Sequence, residues 1–456
     1  MFSFVILLTS CFGVDVAQSI IADDKFEVSA INSDSSELVL EGTDLSDVTS
    51  VKIIIDNVEY DLTVSSSSSA SIVLSLGSLG SQINFNETYT IKVSSAKTSK
   101  SFSLELIDSE APADDGDPVT IYAGKLTDNN HLGMDYSKEN KMILLAGNSG
   151  NCINAVSIRS IYNPRVIKSL SSSTSPAVNA GDCRDVKFID SGKKFVLPIY
   201  DKTVEVWSMG EDPSETSDWV ELSSYSFTTK QPKKFSQFTE SGSSYEFLLS
   251  SYGGLIKMSL SKSDWSLSVE NTGSEAIDTG SSKLYQDASL IGNDLIVATQ
   301  AGTGKNVEVY DSSSTALATF ILDNASRYMW SSQASDDLNL VALSGNWLAL
   351  FTYDSSQTGS AKLDLKSETA TTAMHRHLRF LNYSSVNYLL ASTSSGNVVV
   401  YNINDPTSPS LVRDYEITAF DGEAYDLIVD KENDWVFVAG TNGKFAILDL
   451  YQLLNP

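Results

Sequence analysis

Short apolar stretches recur along the chain at a nearly fixed interval. They are Ile143–Gly147, Phe195–Ile199, Phe247–Ser251, Leu295–Thr299, Leu340–Ser344, Leu389–Thr393 and Val436–Gly440, with first residues 52, 52, 48, 45, 49 and 47 apart. Apolar runs of about five residues bounded by Gly, Asn and Ser read as buried strands rather than helices. A second stretch follows each after a polar turn: "NAVSIRSI", "KTVEVWSM", "GGLIKMSL", "KNVEVYDS", "NWLALFTY", "GNVVVYNI" and "GKFAILDL". A less apolar strand precedes each, as in "CRDVKF" and "AYDLIV". Each copy alone leaves its sheet faces uncovered, and stacking the copies round a ring covers them. The pattern therefore predicts a β-propeller of seven blades over residues 118–456.

The ends of this region predict how the ring closes. The last copy reaches Pro456 after its third strand, "FAILDLYQLLNP", and an orphan strand, "PVTIYAGKL", stands at Pro118–Leu126. It resembles the outer strands "PSLVRDYEI" and "PRVIKSLSS". Pairing it with the last copy would complete that blade and remove the largest open sheet edge, which otherwise invites aggregation.

Upstream, "SELVLEGTDL", "SVKIIIDNVEYDLTV", "ASIVLSLGSL" and "TYTIKVSSAKTSKSFSLELI" alternate apolar with polar residues. That period of two predicts half-buried antiparallel strands, enough for a small β-sandwich over 24–107. The segment 108–117, "DSEAPADDGD", is acidic and nearly devoid of apolar residues. It reads as an exposed linker, with calcium binding by its carboxylates as the alternative, although the spacing is not that of an EF-hand.

Two resemblances attach to these segments. Glu41-Gly42-Thr43-Asp44-Leu45-Ser46-Asp47-Val48, with the strand ending Ile55-Asp56-Asn57, resembles the start of an IPT/TIG-type immunoglobulin-like domain. Such a resemblance implies a spacer or binding module. "VYNINDPTSPSLVRDYE" near the C-terminus resembles the LVIVD repeat family, as does "GKFAILDL" with "AYDLIVDKENDWVFVAG". Ser157–Val166 keeps a worn form of the same turn, and the middle copies lack its Pro residues. This resemblance implies an exported propeller and no particular activity.

Composition narrows the address. The 456 residues carry a net charge of −27, which disfavours nucleic acid and anionic lipid as general partners. Phe2–Leu8 is a short apolar run of the length of a secretory h-region, so residues 1–23 read as a signal and tether. Two processing routes fit. Leu8–Cys11 resembles a lipobox, making Cys11 a lipidation candidate, and Gly13 suits ordinary cleavage. No other run approaches the about 18 apolar residues of a membrane helix. The remaining cysteines, Cys152 and Cys183, pair as a disulfide in an oxidising compartment or stay as two buried thiols. Asn86, Asn324 and Asn382 head glycosylation sequons that matter only in a eukaryote.

Candidate chemistry is sparse. The chain has three His and lacks a Gly-x-Ser-x-Gly elbow, a phosphate-binding loop and a His-Glu-x-x-His pair, so no catalytic residues are nominated. On a strand, His375 and His377 would put both rings on one face, as two zinc ligands without an evident third or as a packed pair. Aligning the copies places Asp185, Asp287 and Asp426 at one position at the start of the inner strand, and two residues earlier Cys183, Tyr285 and Ala424, with His131 and His377 at matching positions in other copies. There they would ring one mouth of the central channel, with Tyr285, Tyr425 and His377 around them. They either bind a cation such as calcium or accept backbone N–H groups of the neighbouring blade. The function expected is an exported cell-surface or secreted binding protein without a required cofactor, engaging a protein or glycan partner. A surface-layer or filament subunit and a metal-dependent or hydrolytic enzyme at the channel mouth are the alternatives.

Overall fold

The computed structural model describes residues 5–9, 15–19, 27–33, 37–55, 58–75, 87–96, 99–106, 118–148, 151–159, 161–174, 177–179, 181–210, 219–228, 230–252, 254–269, 284–300, 307–310, 316–320 and 329–455. The chain divides into two compact units, Met1–Asp115 with Ser157–Pro164, and Gly116–Val156 with Arg165–Pro456. The expected linker, 108–117, falls wholly outside the described residues, and the first boundary lies within it.

In the first unit, alternation produces two four-stranded antiparallel sheets. One is ordered Ser99–Leu106, Glu87–Ser95, Val48–Ile55, Val58–Asp61, and the other Glu27–Ser33, Glu37–Thr43, Ser71–Ser75, Thr63–Ser67. Leu38, Leu40, Ile72 and Leu74 of one share a core with Val51, Ile53, Ile91 and Val93 of the other. The run expected as an h-region is strand over Val5–Thr9, paired with Asp15–Ser19. Cys11 and Asn86 lie outside the described residues.

The second unit repeats one plan, a four-strand antiparallel meander. Its inner strands are Asn130–Ser137, Lys187–Ile189, Gln231–Glu240, Leu284–Ile291, Met329–Ser335, His375–Tyr383 and Ala424–Asp430. Each pairs with a second strand that is apolar on both faces, because neighbouring sheets cover it from either side. Met142–Asn148 and Leu340–Gly345 are buried almost throughout. The sheets begun by Gln231–Glu240 and Leu284–Ile291 join through the Tyr252 and Leu284 pairing.

Successive sheets share cores. Leu144 and Ile153 meet Phe195 and Trp207; Val196 and Val206 meet Phe247 and Ile256. Ile296 and Val307 meet Val341 and Ala349, then Ala342 and Leu350 meet Leu378 and Leu389. Leu390 and Val398 meet Leu427 and Val436. The last sheet also touches the first: the Tyr136 and Phe437 rings are 4.9 Å apart, and the Asn442 N–H donates to Asn130 Oδ1 at 2.8 Å.

The last sheet is completed by a strand from the start of the unit. Thr120–Lys125 pairs antiparallel with Lys444–Asp449, setting Thr120 opposite Leu448 and Ala123 opposite Ala446. The Asp449 N–H donates to the Val119 carbonyl at 2.8 Å, and the Leu126 N–H to that of Gly443 at 2.9 Å. Gly443 has φ 76°, and a Cβ there would fall 1.8 Å from the Thr127 carbonyl oxygen. Only glycine fits where the two chain segments cross. After its third strand the chain turns into one helical turn, Leu450–Leu454, capped by Asp449 and anchored by buried Leu450 and Leu453.

Cys152 and Cys183 are disulfide-bonded, with Cα atoms 5.1 Å apart. The geometry arises because the Cys183 N–H donates to the Gly147 carbonyl, while the Gly147 N–H donates to that of Cys152. The start of one sheet is thereby laid against the edge turn of the one before.

Candidate functional site: the channel between the inner strands

The inner strands share a local irregularity. Their register with the second strand slips between His131 and Gly133, Pro232 and Lys234, Tyr285 and Asp287, Met329 and Ser331, His375 and His377, and Ala424 and Asp426. In the remaining sheet Cys183 makes an isolated bridge to Ile199 and the ladder resumes at Lys187. A bulge of this kind inserts a residue and re-aims its neighbours. It sorts the equivalent positions into columns. The residue after the bulge is Gly133, Asp185, Lys234, Asp287, Ser331, His377 or Asp426. His131 stands with Cys183, Tyr285 and Ala424 in the column two residues earlier, as expected, whereas His377 falls in the column of the aspartates and His375 takes the earlier place.

The three expected aspartates are buried, and their oxygens are engaged. Asp185 accepts from the Val186 N–H (2.9 Å) and, across the sheet boundary, from the Phe235 N–H (2.8 Å). Asp287 accepts from the N–H of Ala288 (2.9 Å) and Ser332 (3.1 Å) and from the Ser331 hydroxyl (3.1 Å). Asp426 accepts from the N–H of Leu427 (2.8 Å) and Met134 (2.9 Å). Each carboxylate therefore pins its own bulge with one oxygen and the next inner strand with the other. Asp135, which sequence reasoning missed, reaches the next inner strand with both oxygens from two positions further on, accepting from the Phe188 N–H and Lys187 Nζ at 2.8 Å each.

Between these strands lies a cavity of about 250 Å³, lined by the four aspartates together with Lys187, Lys234, His377 and Arg379. Burial pushes the Asp185 carboxyl up to about 7, helped by the Asp426 charge and opposed by Lys234 and the two N–H donors. Burial also raises Asp287, against Lys234 and its own donors. Lys234 Nζ stands 3.7 Å from Asp287 and contacts His377 Nδ1. His377 Nδ1 is also 3.0 Å from Asp426 Oδ1. Burial, then the charges of Arg379 and Lys234, hold this imidazole well below its ordinary value, so it is neutral. A neutral ring uses that one nitrogen either to donate to Asp426 or to accept from Lys234, never both.

Of the two roles expected for the aspartates, the one seen is acceptance of backbone N–H groups from the neighbouring sheet. A lysine occupies the ring of carboxylates, and among the described residues no group of three or more His, Cys, Asp or Glu is placed to hold a metal ion. The bulge at Arg376 also breaks the period of two, giving the histidines separate partners. His375 Nδ1 bonds Ser344 Oγ at 2.6 Å and its ring lies against Tyr401, whereas His377 faces the channel. Burial lowers His375 and His131 to about 4 each. Tyr425 sits at its bulge, 5.3 Å from the Arg376 guanidinium. The side chain of Tyr285 and all of Asn324 lie outside the described residues. Asn382 is exposed, its amide donating to Asn387 at 2.7 Å.

One consequence is a pH signature. Asp185 binds its proton more tightly folded than unfolded, so its contribution is fully present below about pH 4 and is lost as pH rises through about 7. Asp185→Asn removes that loss. The stability of the variant minus that of the wild type is expected to climb by on the order of several kcal/mol between pH 4 and 8, read by urea denaturation. A flat difference would contradict the assignment.

Comparison with known proteins bears on the fold. No family model matches the chain, and no curated protein matches it in sequence. Among solved structures it is similar to Sqt1 of Saccharomyces cerevisiae (12% identity, TM-score 0.50), over 72% of this chain and 98% of that one. The β-propeller domain of Cps50 (Swd1) from Myceliophthora thermophila gives 10% identity and a TM-score of 0.52 over 72% and 98%. A chain of the mitotic checkpoint complex gives 11% and 0.52 over 73% and 92%. The protein is all-β, and its repeated four-stranded sheets form a β-propeller. No described helix is long and apolar enough to cross a membrane.

Proposed function

We propose that the chain is an exported, non-catalytic binding protein. In this reading a seven-bladed propeller of LVIVD-repeat type, closed by residues 118–126, engages a protein or glycan partner through one face. An IPT/TIG-type immunoglobulin-like sandwich serves as its spacer, and the protein is secreted or held at the cell surface through Cys11.

The observation that carries the non-catalytic part is the use of the channel carboxylates. Groups placed to move protons or hold an ion need free oxygens, and these are spent on backbone N–H groups of adjacent inner strands. The Cys152–Cys183 bond supports export, because such bonds persist in oxidising compartments. The net charge of −27 supports a soluble surface that avoids nucleic acid.

The test is fractionation of native cells followed by affinity capture with the intact protein. The expected result is recovery from the medium or the cell surface with Cys152 and Cys183 oxidised, and saturable capture of a partner by the propeller. Recovery only from the cell interior with both thiols reduced would overturn the reading, as would turnover of a substrate abolished by Asp185→Asn. Intact-mass analysis of the mature chain distinguishes lipid on Cys11 from ordinary cleavage.

A further inference from the structure

The residue inserted at each bulge forms a second ring, distinct from the aspartates: Leu132, Arg184, Lys233, Gln286, Trp330, Arg376 and Tyr425. Three of the seven are cations, in a chain whose net charge is −27. The Arg184 guanidinium lies 4.6 Å from the centre of the Tyr200 ring, and Lys233 Nζ lies 5.9 Å from the same centre. Lys233 also donates to Gln286 Oε1 at 3.1 Å. The Arg376 guanidinium lies 4.3 Å from the Trp330 ring and 5.3 Å from that of Tyr425. The residues that follow Arg184, Lys233, Arg376 and Tyr425 in the chain, Asp185, Lys234, His377 and Asp426, line one cavity, and the Tyr425 phenol feels the charges of both Arg376 and Arg184.

We propose that the channel mouth binds one carboxylate presented by an acidic peptide segment of a partner, with Lys233 meeting the charge and Arg184 and Arg376 framing it. The proposal rests on the reading of the propeller as a binding module and supplies the chemistry of its partner. The charge balance at the mouth sets the stoichiometry. Arg184 is paired with Asp182 at 3.2 Å and Arg376 with Glu423 at 2.6 Å, so each arginine already has one acid. Among the described residues Lys233 meets an amide oxygen and an aromatic face, and the charge acting on it is that of Arg184. One surplus cation suits one carboxylate.

A polyanionic glycan would need many cations and would be repelled by the rest of the surface. Two donors also await partners: Nε of Arg184 and Nε of Arg376 are buried and bond nothing among the described residues. Buried donors are normally satisfied, so a mouth holding two open ones and a buried lysine is arranged for an incoming acceptor. Burial, then the Arg184 charge, push Lys233 down to about 7, so near neutral pH the amine is only partly protonated, and a carboxylate arriving beside it would favour the ammonium.

The experiment uses the full chain and two small probes, N-acetyl-glutamate methylamide and its glutamine isostere, titrated by calorimetry. The expected result is saturable binding of the glutamate compound, at least tenfold tighter than the glutamine compound, with the preference lost in Lys233→Gln. Equal affinities, no binding of either, or an unchanged preference in the variant would each overturn the proposal. So would tighter binding of a uronate disaccharide that Lys233→Gln leaves unaltered. Should the variant not fold, the wild-type comparison of the two probes still decides. Failure here removes the mouth as the site, whereas partner capture on the wild-type chain scores the wider binding role separately.

Discussion

Deleting residues 118–126 from the full chain is expected to leave no stably folded propeller. The deletion removes the Thr120–Lys125 ladder on Lys444–Asp449 and the two flanking backbone bonds at Val119 and Leu126. It also removes the fully buried Val119, which packs with Leu448, Leu450 and Tyr415, and the 2.5 Å bond between Thr120 Oγ1 and the Tyr415 hydroxyl. At about 1 kcal/mol per backbone hydrogen bond and about 2 for the valine, the loss rivals the 5–15 kcal/mol that holds an ordinary domain together. The exposed edge of Lys444–Asp449, apolar on both faces at Phe445–Leu448, then favours association between molecules. Soluble yield and the denaturation midpoint read the outcome. A soluble variant with a wild-type midpoint would show that the strand is ornamental.

Breaking the disulfide gives the second large effect. The bond closes a 31-residue separation, for which chain entropy gives about 3–4 kcal/mol. Both sulfurs are buried, in a core with Phe195, Leu197 and Trp207, so a polar replacement adds a desolvation cost. Cys152→Ser with Cys183→Ser is expected to lose at least that amount in urea denaturation. Wild type treated with a thiol reductant should approach the variant, whereas the variant should not respond to reductant. Equal midpoints for oxidised and reduced wild type would contradict the closure argument.

The repeat was legible in the chain because a strand covered on both faces writes a run of apolar residues that nothing polar interrupts. Every second and third strand expected from those runs is present, from Met142–Asn148 to Lys444–Asp449. The closing strand was legible for a different reason. Val119–Ala123 has outer-strand character and no partner nearby in sequence, and the largest open edge lay some 320 residues away, beside Phe445–Leu448.

The channel was less legible. A bulge leaves no compositional mark, so strict alternation put His375 and His377 on one face when the slip at Arg376 parts them. The aspartate column was visible from alignment of the copies, but the reach of Asp185 to Phe235, or of Asp426 to Met134, depends on how sheets sit against each other. Lys234 went unnoticed because "QPKKFSQF" lacks the aspartate that marks the column. The ring containing Arg184, Lys233 and Arg376 escaped for the same reason: its members share a place at the bulge and no residue type.

Closure of the ring by the strand at Thr120–Lys125 is the claim on which the rest depends, and residue-resolved hydrogen exchange tests it most directly. The amides of Thr120–Lys125 that enter the ladder should exchange as slowly as their partners in Lys444–Asp449, both through global unfolding. Exchange of Thr120–Lys125 at the rate of an open loop, with Lys444–Asp449 protected only on its Trp435–Gly440 side, would contradict it.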